Sequence, residues 1–419
     1  MSATGVDAGP AAAHAPARST TGLLSDRVFG AYFFGKLLST AGVWVFNIVA
    51  AIIVWDISRS TLAVGAVSIA LFLPQVAFAP ISGAQADRRG PKGQLLLGRL
   101  LIALAATGLA GTVAAVGVEG LPGAWVVIAA SAVVGMGFVV GGPAQQALLP
   151  TLVRPSELTA AVALNGLPPT VARAGGPVLG TLLLVAAGPA VAFGFTAVAN
   201  LVFAWVILRL PLERPAERAS KADGTVRAGF AYVRGDVTVA LLLTAVLAIG
   251  LGADPVVTLT PELSAGFGQG ESLVGLFASA FGVGAALGYF GITPITRRSG
   301  TDHVLGWGLC LLGGGMLLTG LAPTVAVAVL GLAIAGVGFC WSLTGSTTRI
   351  YERVPESLRG RVMALWSIAF LGSRPVGAAI SSGVAEVASP EVAFVAVAGI
   401  VAVLTAICWA GGRRQPRGA

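Results

Sequence analysis

The stretch GAQADRRGPK, residues 83–92, is a short charged segment between two long apolar runs at about 61–85 and 95–117. Each run is long enough to cross a bilayer, which takes roughly 20 apolar residues as a helix. Gly83 permits close helix packing, and the basic residues that follow suit the boundary between lipid headgroups and cytoplasm. The segment therefore predicts a cytoplasmic turn between two membrane-spanning helices.

The rest of the chain repeats this pattern of long apolar runs and short polar connections. The 419 residues are 56% hydrophobic and only 11% charged, with a mean hydropathy of +0.88, whereas soluble domains are about 25% charged. Lipid offers backbone groups no hydrogen-bond partners, so each run must be a helix. The sequence predicts an all-α integral membrane protein with twelve transmembrane helices, at about 28–55, 61–85, 95–117, 123–147, 158–187, 189–209, 237–258, 272–292, 303–321, 324–348, 360–387 and 391–411.

The longest polar stretch divides these runs into two sets of six. We expect a disordered cytoplasmic tail at 1–26, a six-helix bundle at 27–209, a cytoplasmic linker at 210–236, a second bundle at 237–411 and a tail at 412–419. The sequence VRPSEL at 153–158 parallels VPESL at 354–358, and each precedes a membrane arginine near a proline: Arg173 with Pro177, and Arg374 with Pro375. This repetition predicts two pseudo-symmetric bundles with a site between them.

The distribution of basic residues predicts the orientation. Twenty-two of the 26 Lys and Arg residues, Arg99 among them, fall in the tails and in the connections on one side, which the positive-inside rule assigns to the cytoplasm. The predicted external loops carry Glu119, Glu262, Glu271 and Glu391. Both termini are therefore expected to be cytoplasmic in a bacterial inner membrane. The net charge of +8 reflects this topology, since no basic stripe with interleaved aromatics suggests nucleic-acid binding.

Charged residues inside the runs are candidates for a substrate or proton pathway, because each costs about 2.5–3.5 kcal/mol near the bilayer centre. Lys36, Arg173 and Arg374 are candidates to line a central cavity, with snorkelling or bracing of helices as the alternative. Asp254, just before Pro255, is the best acidic candidate for a proton or a cationic group. The uncharged candidates are Asn47, Gln75 and Trp341, for which helix packing is the alternative role.

Residues 83–92 resemble the loop signature of the major facilitator superfamily. In that family the loop acts as a gate latch, which implies a latch formed by Gly83, Asp87, Arg88, Gly90 and Lys92 with Arg359 and Arg361 at the start of span eleven. The segment with Gly176, Pro177 and Gly180 resembles the helix-bend motif of antiporters, although Ala172 and Thr181 stand where that motif prefers glycine. The fourth run also lacks the arginine of the drug–proton antiporter pattern.

The region at 358–377 resembles span eleven of the subgroup that includes enterobactin exporters and macrolide efflux proteins. This resemblance implies a monomeric secondary transporter, surrounded by membrane lipid, that exports a siderophore, antibiotic or other metabolite in exchange for protons. Uptake by symport or uniport is the alternative. No P-loop, catalytic constellation or metal-ligand spacing is present, and all three cysteines lie in apolar runs, so we expect no enzyme activity, metal or cofactor.

Overall fold

The computed structural model describes residues 18–89, 91–211, 226–268, 270 and 272–413, and these are helical without strands. Twelve helices or helix groups are long and apolar enough to span a membrane, which confirms the predicted number and the all-α fold. The helices are α1 Thr20–Leu24, α2 Phe29–Ser58, α3 Thr61–Arg89, α4 Pro91–Val116, α5 Trp125–Leu148, α6 Leu158–Asn165, α7 Leu167–Ala187, α8 Pro189–Arg209, α9 Val226–Gly235, α10 Val237–Ala253, α11 Pro255–Thr258, α12 Thr260–Gly266, α13 Ser272–Ser299, α14 Thr301–Gly320, α15 Val325–Arg353, α16 Glu356–Val387 and α17 Pro390–Arg413.

Two of the predicted spans are interrupted helices. The fifth divides at Gly166 into α6 and α7, where Pro168 occupies the first turn of the new helix. The seventh divides into α10, α11 and α12, with Pro255 and Pro261 in the first turns of the last two. Proline has no backbone N–H to continue the helical ladder, so each proline begins a new helix where the preceding one ends.

Two segments expected to be irregular contain helix. Residues 18–26 of the expected tail include α1, and the expected linker at 210–236 includes α9. Helix α9 packs against α16, where Gly229 lies beside Arg361. The segments 1–17, 212–225 and 414–419 of the expected tails and linker lie outside the described residues.

Small residues allow the helices within each half to approach closely. A Cβ at Gly98 of α4 would lie 2.5 Å from the carbonyl oxygen of Gly137 in α5. In the second half, a Cβ at Gly338 of α15 would lie 2.3 Å from the Leu312 nitrogen of α14. Van der Waals packing of this kind stabilises membrane bundles, because apolar side chains gain nothing by leaving lipid for protein.

Two seams join the halves: α3 packs against α16, and α7 packs against α13. With six spans in each half, span two corresponds to span eight and span five to span eleven, so each seam is the pseudo-symmetric copy of the other. A Cβ at Gly282 of α13 would lie 2.5 Å from the Ala174 Cα of α7. The six-plus-six arrangement predicted from the repeats is therefore the arrangement of the fold.

The two ends of the bundle differ in charge. We call one the acidic end; it holds the connections after α2, α4, α7, α12, α14 and α16, with Asp56, Glu119, Glu262, Glu386 and Glu391 near them. The opposite end, the basic end, holds Arg18, Lys92, Arg154, Arg209, Arg234, Arg353, Arg359 and Arg361. The predicted charge asymmetry is thus an asymmetry between the ends of the folded bundle.

Candidate functional site between the halves

Asp254 lies at the break between α10 and α11 and is completely buried. Its carboxylate accepts hydrogen bonds from the Thr258 hydroxyl at 2.6 Å and from the Ser68 hydroxyl at 3.0 Å. Ser68 belongs to α3, in the opposite half. The Asp254 carboxylate is therefore hydrogen-bonded directly to the opposite half. The bond from Ser68 requires a carboxylate oxygen that acts as an acceptor.

Arg173 of α7 and Arg374 of α16 line one small cavity of about 10 Å³ between the halves. The Arg173 guanidinium lies over two rings, with its carbon 4.9 Å from the Trp44 centroid and 4.6 Å from the Phe339 centroid. The Arg374 guanidinium lies 4.2 Å from the Phe72 centroid. Two arginines that the sequence repeat paired as equivalents are thus brought to the same place from opposite halves.

Arg374 is only 4% exposed, and its Nε atom has no hydrogen-bond partner among the described residues. Asp254 is close enough for the two opposite charges to attract. We call Asp254, Arg173 and Arg374, together with the rings of Trp44, Phe72 and Phe339, the interface layer. Burying an unpartnered donor costs about 1–3 kcal/mol, so an unused guanidinium N–H at this position needs an explanation.

The predicted helix-bend residues act at the contact between α7 and α2. A Cβ at Gly176 would lie 2.4 Å from the Cβ of Trp44, and a Cβ at Gly180 would lie 2.6 Å from Ile48 Cγ2. Pro177 lies inside α7 and lines the small cavity. These residues hold α7 close to α2 and thereby set the position of Arg173; a role in exchange stays a prediction.

The other predicted pathway residues do not line the small cavity. Lys36 is buried in the first half, and its Nζ donates to the Asn165 carbonyl at 2.9 Å and to Asn165 Oδ1 at 2.6 Å. Trp341 donates its indole N–H to the Gly288 carbonyl at 2.9 Å, within the second half. Gln75 donates to the Leu71 carbonyl of its own helix. Asn47 is buried, with its Oδ1 unpartnered among the described residues.

Arg99 is a buried residue that the sequence reasoning assigned to the cytoplasmic set. It is 3% exposed, and it donates to Ser39 Oγ at 3.1 Å and to Gln145 Oε1 at 2.7 Å. Its guanidinium also lies between two rings, 5.8 Å from the Phe138 centroid and 5.3 Å from the Phe203 centroid. The assignment was wrong because α4 begins at Pro91, which places Arg99 two turns inside the helix.

Only part of the predicted gate latch lies in the described residues. Gly90 and the side chains at 79–89, which include Gly83, Asp87 and Arg88, lie outside them. Lys92 donates to the carbonyls of Leu208 and Leu210 at 3.0 and 2.8 Å, at the end of α8. Arg359 donates to the Val354 carbonyl at 3.1 Å, and Arg361 packs against Gly229. The predicted contact of Asp87 with α16 therefore stays a prediction.

The start of the first span is anchored at the basic end by Arg18. Its guanidinium forms two 2.8 Å hydrogen bonds to the Glu157 carboxylate and one of 2.5 Å to Asp26. Asp26 in turn accepts from the Phe29 backbone N–H at the start of α2. The hydrogen bonds from Arg18 lower the pKa of Glu157 from 4.5 to about 2. The carboxylate of the VRPSEL segment thus stays ionised and fixes the residues before α2.

Hydrogen bonds also join the halves at the acidic end. The Glu386 carboxylate of α16 accepts from the Ser60 hydroxyl and the Leu62 backbone N–H, each at 3.0 Å. The Glu262 carboxylate of α12 accepts from the Thr61 hydroxyl. Nothing in the sequence around Glu386 indicates that it meets the N-terminus of α3. Among the described residues no group of His, Cys, Asp and Glu is placed to hold a metal ion.

Comparison with known proteins agrees with this architecture. The enterobactin exporter EntS of Shigella flexneri is 26% identical over 217 residues, 51% of each chain, and that of Shigella boydii is 27% identical over 255 residues, 60% of each chain. The aligned region thus spans about half to three fifths of these curated relatives. A mutant of the nucleoside transporter NupG superimposes with a TM-score of 0.74 at 12% identity, covering 92% of this chain and 100% of that one.

A bacterial homologue of the lysosomal transporter Spinster, in an inward-facing and unoccupied conformation, gives a TM-score of 0.71 at 16% identity, covering 93% of this chain and 98% of that one. At such identities the structures show a shared fold. The model of the family described as transmembrane secretion effector matches residues 18–412, which is nearly the whole chain. The protein therefore has the major facilitator fold, with twelve described helical segments able to span a membrane, and belongs to the transmembrane secretion effector family.

Proposed function

We propose that this transporter exports a small molecule from the bacterial cytoplasm by alternating access, as a monomer with both termini in the cytoplasm. The observation that supports this proposal most directly is the interface layer, where Arg173, Asp254 and Arg374 meet between the halves. A substrate held there would contact both halves, so its binding would change their relative free energies. The family description and the enterobactin exporters favour export over uptake.

The positive-inside rule assigns the basic end to the cytoplasm. The hydrogen bonds of Glu386 and Glu262 to the start of α3 then lie on the external side and hold that side closed. Export requires these bonds to break while the latch with Asp87 closes the cytoplasmic side. The hydrogen bonds between Glu386 and α3 are therefore the external gate of the proposed cycle.

Asp254 is the proposed proton-exchanging group. Its buried carboxylate accepts hydrogen bonds from Ser68 and Thr258, and Arg374 lies close enough to attract it. Protonation would remove that attraction and convert one acceptor site of the carboxylate into a donor. A proton arriving from outside would in this way favour a different arrangement of the halves.

Uptake of a substrate by symport or uniport is the second candidate function. The same fold and the same interface layer serve either direction, since alternating access is reversible. The two candidates differ in the direction of accumulation when a proton gradient is imposed.

Everted membrane vesicles test the proposal. In such vesicles an exporter accumulates its substrate inside, so we expect wild-type vesicles to accumulate at least one member of a panel of siderophores and antibiotics when energised. The pH-gradient-dependent part of this accumulation should be lost in Asp254→Asn and kept in Asp56→Asn, a control at the acidic end that is paired with Arg59 at 3.6 Å. Accumulation only in right-side-out vesicles would instead establish uptake.

A further inference from the structure

We propose that the interface layer binds an organic monoanion with an aromatic or apolar body, held by Arg173 and Arg374. This inference rests on the proposed function, because it takes the interface layer as the substrate site. It goes beyond that function because it specifies the charge of the substrate. Neither the fold nor the family description specifies this charge.

The charges of the interface layer do not balance. Two guanidinium groups lie at the small cavity, and the interface layer contains one carboxylate, Asp254, which attracts Arg374. The other side chains that line the cavity are apolar or aromatic, such as Trp44, Val257 and Phe281. A charge in a site of low dielectric is costly unless it is paired. One carboxylate leaves one of the two cations without a counter-charge, and a ligand with a single negative charge supplies it.

The guanidinium donors of the interface layer have a geometry that suits an anion. The rings of Trp44 and Phe339 lie against the Arg173 guanidinium, and the ring of Phe72 lies against that of Arg374. Guanidinium N–H groups point outward in the plane of the group, so stacking on a ring leaves them free to donate. The Arg374 Nε in particular is buried without a partner among the described residues. Planar N–H pairs of this kind match the two oxygens of a carboxylate or a related anion.

The two arginines lie on opposite halves of the fold. Without a ligand the two like charges repel each other across the interface, which favours separation of the halves. An anion between the two arginines attracts both of them and so favours closure of the halves. The observed cavity of about 10 Å³ is the size of one water molecule. The observed arrangement is therefore too tightly closed to hold the ligand, which enters when the halves separate. Its attraction to both arginines then draws the halves toward each other, which couples binding to closure.

Binding of matched acid and amide probes to the purified full-length protein tests this inference. Salicylate with salicylamide, and 2,3-dihydroxybenzoate with 2,3-dihydroxybenzamide, differ in charge and hardly in shape. We expect the acids to raise the thermal unfolding temperature in detergent and to bind about tenfold or more tightly than the amides, since a charge-assisted hydrogen bond contributes about 1.5–3 kcal/mol.

The matched control is Arg209, which also lies over a ring, 5.3 Å from the Trp205 centroid, but at the basic end of α8. Preference for the acids should disappear in Arg173→Gln, weaken in Arg374→Lys and survive in Arg209→Gln. Size-exclusion profiles identify any variant that does not fold. Arg173 is partly exposed, so its substitution should disturb the fold less than a substitution of the buried Arg374.

Equal binding of acids and amides, or an equal loss of preference in Arg209→Gln, overturns the inference. The result is separable from the outcome of the vesicle assay. Export of uncharged or cationic compounds alone would leave the proposed direction standing and contradict the anion site. Acid-selective binding that depends on Arg173, without export in everted vesicles, would support the anion site and contradict the direction.

Discussion

At the residue scale, the protein buries several charged side chains where charges are costly. Arg99 and Lys36 are satisfied by neutral partners within the first half, namely Ser39, Gln145 and Asn165. Arg173 and Arg374 are placed differently, because they lie at the boundary between the halves and stack on rings. This difference separates cations that brace a bundle from cations available to a ligand.

The Glu157–Arg18 pair gives a prediction about pH at this scale. A carboxyl with a pKa lowered from 4.5 to about 2 stabilises the folded state fully above the unfolded value and progressively less as the pH falls toward the folded value. We expect Glu157→Gln to lower the unfolding temperature of the purified protein by an amount that is constant from pH 7 to about pH 5 and shrinks below about pH 4.5. Glu119→Gln, in the exposed connection after α4, is the control and should show no such pattern. A difference that stays constant to pH 3.5 would contradict the assigned pair.

At the scale of elements, close helix approach sets the position of Arg173 at the boundary between the halves. Gly176 and Gly180 place α7 against α2, and Gly282 places α13 against α7 next to Arg173. Gly175, the neighbour of Gly176 on α7, does not face another helix closely, since a Cβ at Gly175 would meet nothing within 4 Å. The two neighbours therefore form a matched pair for mutagenesis.

We expect Gly176→Ala to reduce export strongly and to lower stability by about 1–3 kcal/mol, because the added methyl must displace either Trp44 or the α7 backbone. Gly175→Ala should preserve export and leave stability unchanged or slightly higher, as an exposed helical alanine is favoured over glycine by about 1 kcal/mol. Transport by the two variants in everted vesicles and their thermal unfolding provide the measurement. Similar effects of both substitutions would show that helix propensity, and not the contact with Trp44, is responsible.

A second prediction at this scale concerns the external gate. Glu386→Ala removes the acceptor for Ser60 and for the Leu62 backbone N–H, so the acidic end should open more often. In a background without native cysteines, Val257→Cys in the small cavity reports opening by its reaction with an impermeant maleimide added outside. We expect the reaction to become several-fold faster with Glu386→Ala and to stay unchanged with Glu119→Ala. An unchanged reaction rate in both variants would show that Glu386 is not part of the external gate.

At the scale of the whole molecule, the sequence predicts the architecture well because hydropathy and repetition are global signals. Twelve apolar runs, a central polar linker and the paired Arg–Pro segments are enough to predict two bundles and the meeting of Arg173 with Arg374. What sequence reasoning missed depends on contacts between distant segments. Arg99 looked like a loop residue until its helix boundary was known, and Glu157 and Glu386 gain partners 139 and 326 residues away.

The last prediction separates the two driving forces of the whole cycle. If a monoanion leaves the cell while Asp254 carries one proton inward, both the pH gradient and the inside-negative potential favour export, the latter by about 2.3 kcal/mol per charge per 100 mV. In everted vesicles we therefore expect nigericin, which collapses the pH gradient, and valinomycin with K⁺, which collapses the potential, each to reduce wild-type accumulation of the anion. Asp254→Asn should lose the response to nigericin and keep the response to valinomycin, because the substrate still carries its charge when the proton site is gone. Loss of both responses in that variant, with transport still measurable, would mean that the exported molecule is uncharged and that Asp254 alone had linked transport to the membrane energy.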